Sequence, residues 1–241
     1  MSISSEIERI QSAKSDIITA IENKGVTVPT GTTIDELPEL IDSIPGGGGG
    51  GNTIKIGTHD YKWVLMPDGK KWLAQNLELI FPTLVIGETS TSSSYPQAHY
   101  YNNDQTTYSV FGGSRPCGLL YNQKAVAYLI NHSSLIAGCH VPTTTEWDNL
   151  FASIGSDSDA AKKIKCENGA FNGWPSGWGG LNDHYEFSCV PGGRFDGSFG
   201  ISSECFYRTQ GSTYIEIRSD NYIYRYGGNE NYGYSVRLIV D

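Results

Sequence analysis

Isoleucine recurs at Ile3, Ile7, Ile10, Ile17 and Ile21, and Lys14 takes the one remaining place in a 4-3-4-3-4 spacing. That spacing is a heptad seam of about three heptads, and it predicts an amphipathic helix whose apolar edge other copies of the chain can complete. Isoleucine at both core positions favours trimers over dimers, and one polar residue in the seam helps to set register. A helix packed on its own domain is the alternative reading. Gly25 ends the stripe, and Val26 to Thr33 reads as an extended turn. Thr33 then caps a short second helix through Ile34, Leu37, Leu40, Ile41 and Ile44, with Pro38 tolerated near its first turn.

Six glycines, Gly46 to Gly51, follow Pro45, and no packed element survives such a run. The expected organisation is a helical coiled-coil or anchoring module over 1–45, a linker over 46–52, and a ligand-binding domain over 53–241. Beyond the glycines the apolar period drops to two. Ile54 to Ile56, Tyr61 to Met66 and Lys71 to Leu77 predict strands, with a turn at Pro67 to Lys70 making a hairpin. Residues 83–116, rich in Ser, Thr, Tyr and Gly, read as long loops, and Tyr121 to Asn131 as a helix. Thr143 to Ile154 is the best-marked helix: Thr143 and Glu146 form a capping box, and Trp147, Leu150, Phe151 and Ile154 share one face. Lys162 to Lys165 reads as a short strand or turn, and Gly169 to Asp183 as a Gly/Trp-rich loop. Few helices, many short strands and long loops predict an α+β fold around an antiparallel sheet.

From Ile201 to Asp241 the alternation is densest, and seven of the fifteen tyrosines lie there. Tyr214, Glu216 and Arg218 share one side of a strand, as do Tyr222, Tyr224 and Tyr226. Ile215, Ile217, Ile223, Val236, Leu238 and Val240 point inward. High β-propensity alone would also produce such a pattern. Aromatics forced outward among Ser, Gly and Asn are instead the chemistry of a binding surface, where tyrosine supplies rigid contact area at low entropic cost. The candidate ligand-binding residues are Asp196, Ser203, Phe206, Arg208, Tyr214, Glu216, Arg218, Asp220, Asn221, Tyr222, Tyr224, Tyr226, Asn229, Asn231 and Tyr232.

Composition narrows the function. A net charge of −9 with only 17 scattered Lys and Arg lacks the footprint that nucleic acid requires. No run approaches the ~20 apolar residues of a membrane helix, and the start lacks a signal-peptide pattern, so neither membrane insertion nor ordinary export is expected. Five cysteines without a C-x-x-C pair predict buried free thiols rather than zinc or a disulfide framework. The five histidines lack ligand spacing, and His140 is expected to satisfy a buried hydrogen bond. Asp183, His184 and Glu186 read as a solvated loop rather than an acid/base set. No catalytic residue, metal or cofactor is assigned. Trp63, Trp72 and Trp147 are expected inside, with Trp174 and Trp178 covering the core from their loop.

Four ordered stretches carry a family likeness: Trp72 to Leu77; Cys139 to Thr143 with Glu146, Trp147 and Leu150; Val190 to Phe195 with Gly197 and Phe199; and Gly233 to Leu238. They resemble the signatures of the Fibrobacter succinogenes major paralogous domain, a branch of the C-type lectin fold. The turn at Gly25, Val26, Val28 and Pro29 with its following helix resembles a small module near the start of bacteriophage tail proteins. The resemblance implies a C-type lectin head with an antiparallel sheet, two helices and long loops, whose last strands carry changeable ligand-binding residues. It extends to receptor-binding proteins diversified by retroelements. Adenine mutagenesis of an Asn codon reaches Tyr, Asp, Ser, Gly, His, Arg, Thr, Ile and Phe, and most of the candidate positions lie within that set. The implied function is a non-enzymatic, homotrimeric receptor-binding protein at a phage or prophage tail tip, contacting a bacterial surface protein or glycan and joining other tail proteins through residues 1–45. A bacterial cell-surface adhesin with the same head is the alternative. A formylglycine-generating-type oxidase, which would need Cys189 and Cys205 as a copper-binding pair, is a remote one. The Glu-Pro-Asn and Gln-Pro-Asp signatures of calcium-dependent sugar binding are absent, and Trp147-Asp148-Asn149 falls inside the capped helix.

Overall fold

The computed structural model describes residues 3–23, 25–42, 52–87, 89–100, 118–166, 174, 183–199 and 204–241. The chain divides into two compact units, Met1–Asn52 and Thr53–Asp241. No helix among the described residues is long and apolar enough to cross a membrane.

In the first unit, α1 (Ile3–Glu22) stops short of Gly25, whose φ of 85° suits glycine and whose N–H bonds the Glu22 carbonyl at 2.9 Å. A 3₁₀ turn, Ile34–Glu36, leads into α2 (Leu37–Asp42). At the start that Thr33 is expected to cap, the Glu36 carboxylate accepts from the Thr33 N–H at 2.6 Å and hydroxyl at 3.0 Å. Ile7, Ile10 and Ile17 are 41–50% exposed along α1, and Lys14 is half-buried. Ile21 departs from the expected seam: it is buried together with Leu37 where α1 meets α2, so it serves its own module. Ile44 and the side chain of Ile3 lie outside the described residues.

The second unit is α+β. One sheet has the order β1-β2-β3-β11-β7, built from β1 (Thr53–Ile56), β2 (His59–Leu65), β3 (Lys71–Leu73), β11 (Ile239–Val240) and β7 (Cys139–His140). The expected hairpin joins β2 to β3, with Trp63 opposite Leu73 and Val64 opposite Trp72. A second sheet pairs β4 (Val85–Ile86) in parallel with β5 (Gln97–Tyr100), and β5 antiparallel with β6 (Leu119–Tyr121). A third is an antiparallel meander of order β10-β9-β8, from β8 (Glu204–Arg208), β9 (Thr213–Arg218) and β10 (Ile223–Gly227). Residues 83–100, expected as loop, therefore contain β4 and β5. Residues 101–116 lie outside the described residues.

Helix α3 (Gln123–Asn131) starts two residues later than its pattern implied, because Tyr121 pairs in β6 and Asn122 accepts the Ala125 N–H at 2.8 Å as the cap. Helix α4 (Thr144–Ile154) follows its signature: Thr143 and Glu146 cap each other, and Trp147, Leu150, Phe151 and Ile154 are buried. Residues 162–164, expected as strand or turn, end instead the helix α5 (Asp157–Ile164). Ser156 caps it, Asp157 and Asp159 lie in the first turn and Lys162 and Lys163 in the last, which suits the helix dipole. Ala160, Ala161 and Ile164 form its short buried face.

Residues 233–240 bind the sheets together. Tyr121 and Tyr234 exchange backbone hydrogen bonds of 2.8 and 3.0 Å, and Ser235 bonds Phe206 and Arg208 on β8. Val236 and Leu238 accept from Leu77 and Leu73, and Ile239 pairs with both Trp72 and His140. In the core the Trp147 ring lies 4.6 Å from that of Trp72, tilted by 55°, and stacks on Tyr207 at 4.9 Å. Trp174 is buried as expected, Trp63 is only partly so, and Trp178 lies outside the described residues. The fully buried Arg237 guanidinium is held by neutral acceptors: Asn76 Oδ1 at 2.6 and 3.0 Å, the Leu73, Phe187 and Ser188 carbonyls, and the Tyr207 hydroxyl.

Candidate functional site

Register decides which residues of the meander share a face. Phe206 lies opposite Glu216 and Glu216 opposite Tyr224; Arg208 lies opposite Tyr214 and Tyr214 opposite Tyr226. Glu204 opposite Arg218 completes the set, so one face carries Glu204, Phe206, Arg208, Tyr214, Glu216, Arg218, Tyr224 and Tyr226. The other face carries Cys205, Tyr207, Ile215, Ile217 and Ile223, all buried. The alternation expected for β9 and β10 is therefore the observed one. Val236 and Leu238 are also buried, while Val240 is partly so.

Exposure rises across that face from β8 to β10. Among the described residues strand β10 forms the outer edge, where Tyr222 is 60% exposed and Tyr226 45%. Tyr222, Tyr224 and Tyr226 form a ladder with successive ring centroids 6.1 and 5.4 Å apart and planes within 25°. The row continues from Tyr226 to Tyr214 at 5.8 Å and from Tyr214 to Tyr234 at 4.9 Å. Five tyrosines thus form one aromatic strip running from the open edge into the core.

Phe206 and Arg208, expected to face a ligand, are instead buried. Their strand adjoins the 233–236 segment, and that segment folds over them. The Phe206 ring lies 5.8 Å from both Tyr214 and Tyr234, with the Arg194 guanidinium 5.2 Å away. Arg208 lies over the Tyr234 ring at 4.3 Å and donates to the Asn229 and Tyr232 carbonyls at 2.9 and 2.7 Å. Burial pushes its guanidinium down to about 10. Arg208 thereby shapes the 228–233 loop, and a side chain at Gly228 would meet Arg208 Nη1 at 2.7 Å. Glu216 is also largely covered; burial, and then the neighbouring Glu204, raise its carboxyl above the usual range.

At the β9–β10 turn, Asn221 adopts φ 68°, a left-handed geometry that Asn tolerates. Its side chain faces inward, correcting its place among the candidate contacts: Oδ1 accepts from Lys165 Nζ at 2.8 Å. The buried Lys165 also donates to the Arg218 and Ser219 carbonyls, and its burial pushes it down to about 8. The turn beside it carries Arg218, which lies 3.5 Å from Glu204, 3.8 Å from Glu216 and 3.9 Å from Asp220, with its guanidinium 5.6 Å from the Tyr224 ring. Asp196 pairs with Arg194 at 3.1 Å at the face's inner border. Asn229 and Asn231 close a small Asx turn, the Asn229 side chain accepting the Asn231 N–H at 3.0 Å, and Tyr232 is half-buried beside it. Ser203 lies outside the described residues.

Arg194, Glu204, Lys165 and Arg225 were not among the candidates. Parity alone could have found Glu204, two residues before Phe206. Arg225 sits on the far side of β10 and clamps it to the helices, with Nε 2.7 Å from Asp148 and Nη1 2.6 Å from Asp157. Elsewhere Asp183 accepts from the Ser188 N–H and hydroxyl, and Glu186 pairs with Lys62, so both carboxylates hold their loop. His140 is half-buried between Glu146 at 3.0 Å and Asp241 at 2.5 Å. Cys139, Cys166, Cys189 and Cys205 are buried, and Cys139, Cys189 and Cys205 are free thiols; Cys117 lies outside the described residues. Among the described residues no group of three or more His, Cys, Asp or Glu side chains is placed to hold a metal ion. Neither a protein-family model, a curated protein nor a solved structure matches the chain.

Proposed function

We propose that this chain is a receptor-binding protein that presents the β9–β10 tyrosine face to a bacterial surface protein or glycan from a C-type lectin-like scaffold, at a phage or prophage tail tip. The observation that carries this reading is the exposed ladder of Tyr222, Tyr224 and Tyr226 along an edge strand, beside Arg218 and Asp220, on a sheet whose other face is core. Contiguous exposed aromatics of this kind typically mark a partner surface. Diversification, if a retroelement drives it, acts on Tyr214, Arg218, Asp220, Tyr222, Tyr224, Tyr226, Asn229, Asn231 and Tyr232; Phe206 and Arg208 belong to the scaffold. Replacing Tyr222, Tyr224 and Tyr226 together by Ala abolishes binding to receptor-bearing cells or to an arrayed surface glycan or protein, with little change in melting temperature. Loss of folding in that variant would assign the ladder to the core instead.

The exposed Ile7, Ile10 and Ile17 on α1 support homotrimer formation through the first unit, with residues 1–45 also docking to other tail proteins. Three heads held together raise avidity by roughly 10²–10⁴ when all can engage at once. In sedimentation the full chain runs as a trimer, and changing Ile7, Ile10 and Ile17 to Asp yields monomers. A monomeric parent chain would remove the avidity argument.

A further inference from the structure

Cys189 and Cys205 are fully buried away from the tyrosine face, and their Sγ atoms stand 2.8 Å apart. Backbone pairing on both sides sets this approach. Cys189 exchanges hydrogen bonds with the end of α5, donating to the Ile164 carbonyl at 2.8 Å and accepting from the Cys166 N–H at 3.0 Å. The Gly193 N–H donates to the Glu204 carbonyl at 3.0 Å, tying the same segment to β8, where Cys205 lies opposite Ile217. Both sulfurs are thus presented by paired backbone rather than by free loops, and closing from 2.8 Å to the ~2.05 Å of a disulfide needs a movement of under about 1 Å. The surroundings also separate the roles of the two thiols. Burial works against ionisation of both, but bonds from Cys205 and Tyr207 with the nearby Arg237 and Lys165 charges draw Cys189 toward thiolate. Burial and the adjacent Cys189 hold Cys205 protonated. Two adjacent thiols of unlike acidity suit thiol–disulfide exchange.

We propose that Cys189 and Cys205 form a disulfide when the chain folds in the presence of a small disulfide oxidant such as oxidised glutathione. The Cys189 thiolate attacks one sulfur of oxidised glutathione, whose S–S bond breaks; one glutathione leaves as thiolate, and a mixed disulfide between Cys189 and the other glutathione remains. Cys205 then gives up its proton and attacks the Cys189 sulfur, forming the Cys189–Cys205 bond and expelling the second glutathione as thiolate. Two protein thiols are oxidised, one glutathione disulfide is reduced to two glutathione thiols, and the two protein protons end on them. The loop so closed contains Arg194 and Asp196, the ion pair at the inner border of the tyrosine face. Oxidation therefore locks that border to β8.

The test is to refold the full chain from denaturant and reductant into a buffer of reduced and oxidised glutathione, quench with acid, and count thiols after denaturation. The count falls from five to three, the intact mass drops by about 2 Da, and proteolysis yields one linked pair of peptides containing Cys189 and Cys205. Cys205→Ala, refolded alike, yields no linked pair of peptides containing Cys189, its Cys189 carrying at most a glutathione adduct. A parent chain that regains its native tryptophan fluorescence with five free thiols overturns the proposal, and so does a linked pair joining other cysteines. Because mapping on the unaltered chain decides the matter, the test holds even if the variant does not fold.

Discussion

Arg237 offers the sharpest test of how the second unit is held together. Changing Arg237 to Met keeps much of the side-chain volume but removes every donor. Asn76 Oδ1 then loses bonds of 2.6 and 3.0 Å, the Leu73 and Phe187 carbonyls lose bonds of 2.8 and 2.6 Å, and the Tyr207 hydroxyl loses one of 3.1 Å. A buried acceptor stripped of its partner costs about 1–3 kcal/mol. Relief from burying a guanidinium works in the opposite direction and can amount to several kcal/mol. Since at least three buried acceptors lose their Arg237 donor, the loss of bonds should win, leaving a net destabilisation of roughly 3–5 kcal/mol. For a unit of this size that is a fall in melting temperature of roughly 10 °C or more. Urea unfolding followed by tryptophan fluorescence reads this directly, because all five tryptophans lie beyond residue 52. The slope should stay constant while the midpoint drops. Asn76→Ala in a double-mutant cycle should couple to Arg237→Met by about 1–3 kcal/mol, as contacting residues do. A Met variant as stable as the parent, or more so, would show that desolvation of the charge had outweighed its bonds and would refute the reasoning.

Three further outcomes follow from the same geometry. Burial raises the Glu146 carboxyl, but bonds from the Thr143 N–H, His140, Lys70 and the Thr143 hydroxyl outweigh it and hold it at about 2. A depressed carboxylate contributes stability that is present above its ordinary value of 4.5 and lost as pH falls toward 2. Between pH 5 and 2 the parent should therefore lose on the order of 2–3 kcal/mol more than Glu146→Gln, measured as urea midpoints against pH. Arg225→Ala breaks the partly exposed clamp to Asp148 and Asp157; it should cost about 1 kcal/mol and speed amide exchange in β10 while leaving β2 unchanged. Phe206→Ala should destabilise by ~3–5 kcal/mol, whereas Tyr222→Ala should stay within about 0.5 kcal/mol; equal effects in thermal melts would mean the exposure gradient across the sheet is wrong.

Much of the architecture is written in short-range pattern. Helix α4 could be read from Thr143 through Ile154 because its cap and apolar face lie within a few residues of one another. The β2–β3 hairpin followed from the turn at Pro67 to Lys70, and the two faces of β9 and β10 from period-two alternation. Helix α5 escaped because its buried face is only Ala160, Ala161 and Ile164, two of which carry little hydrophobic signal. Tyr121 reads as the start of a helix in the local pattern because its β partners, Ala98 and Tyr234, lie far away in the chain.

Periodicity and capping among neighbours in the chain suffice for the α+β class, for the two faces of β9 and of β10, and for the outward Ile7, Ile10 and Ile17 of α1. Which part of the tyrosine face is open depends instead on long-range packing. Strand register puts Phe206, Arg208 and Tyr226 on the same face, but burial depends on what lies above it. Tyr234 and Arg194 arrive over β8 from distant segments, while β10 remains the edge. Long-range pairing likewise brought Arg237 to Asn76 and Cys189 to Cys205, contacts that no local spacing encodes.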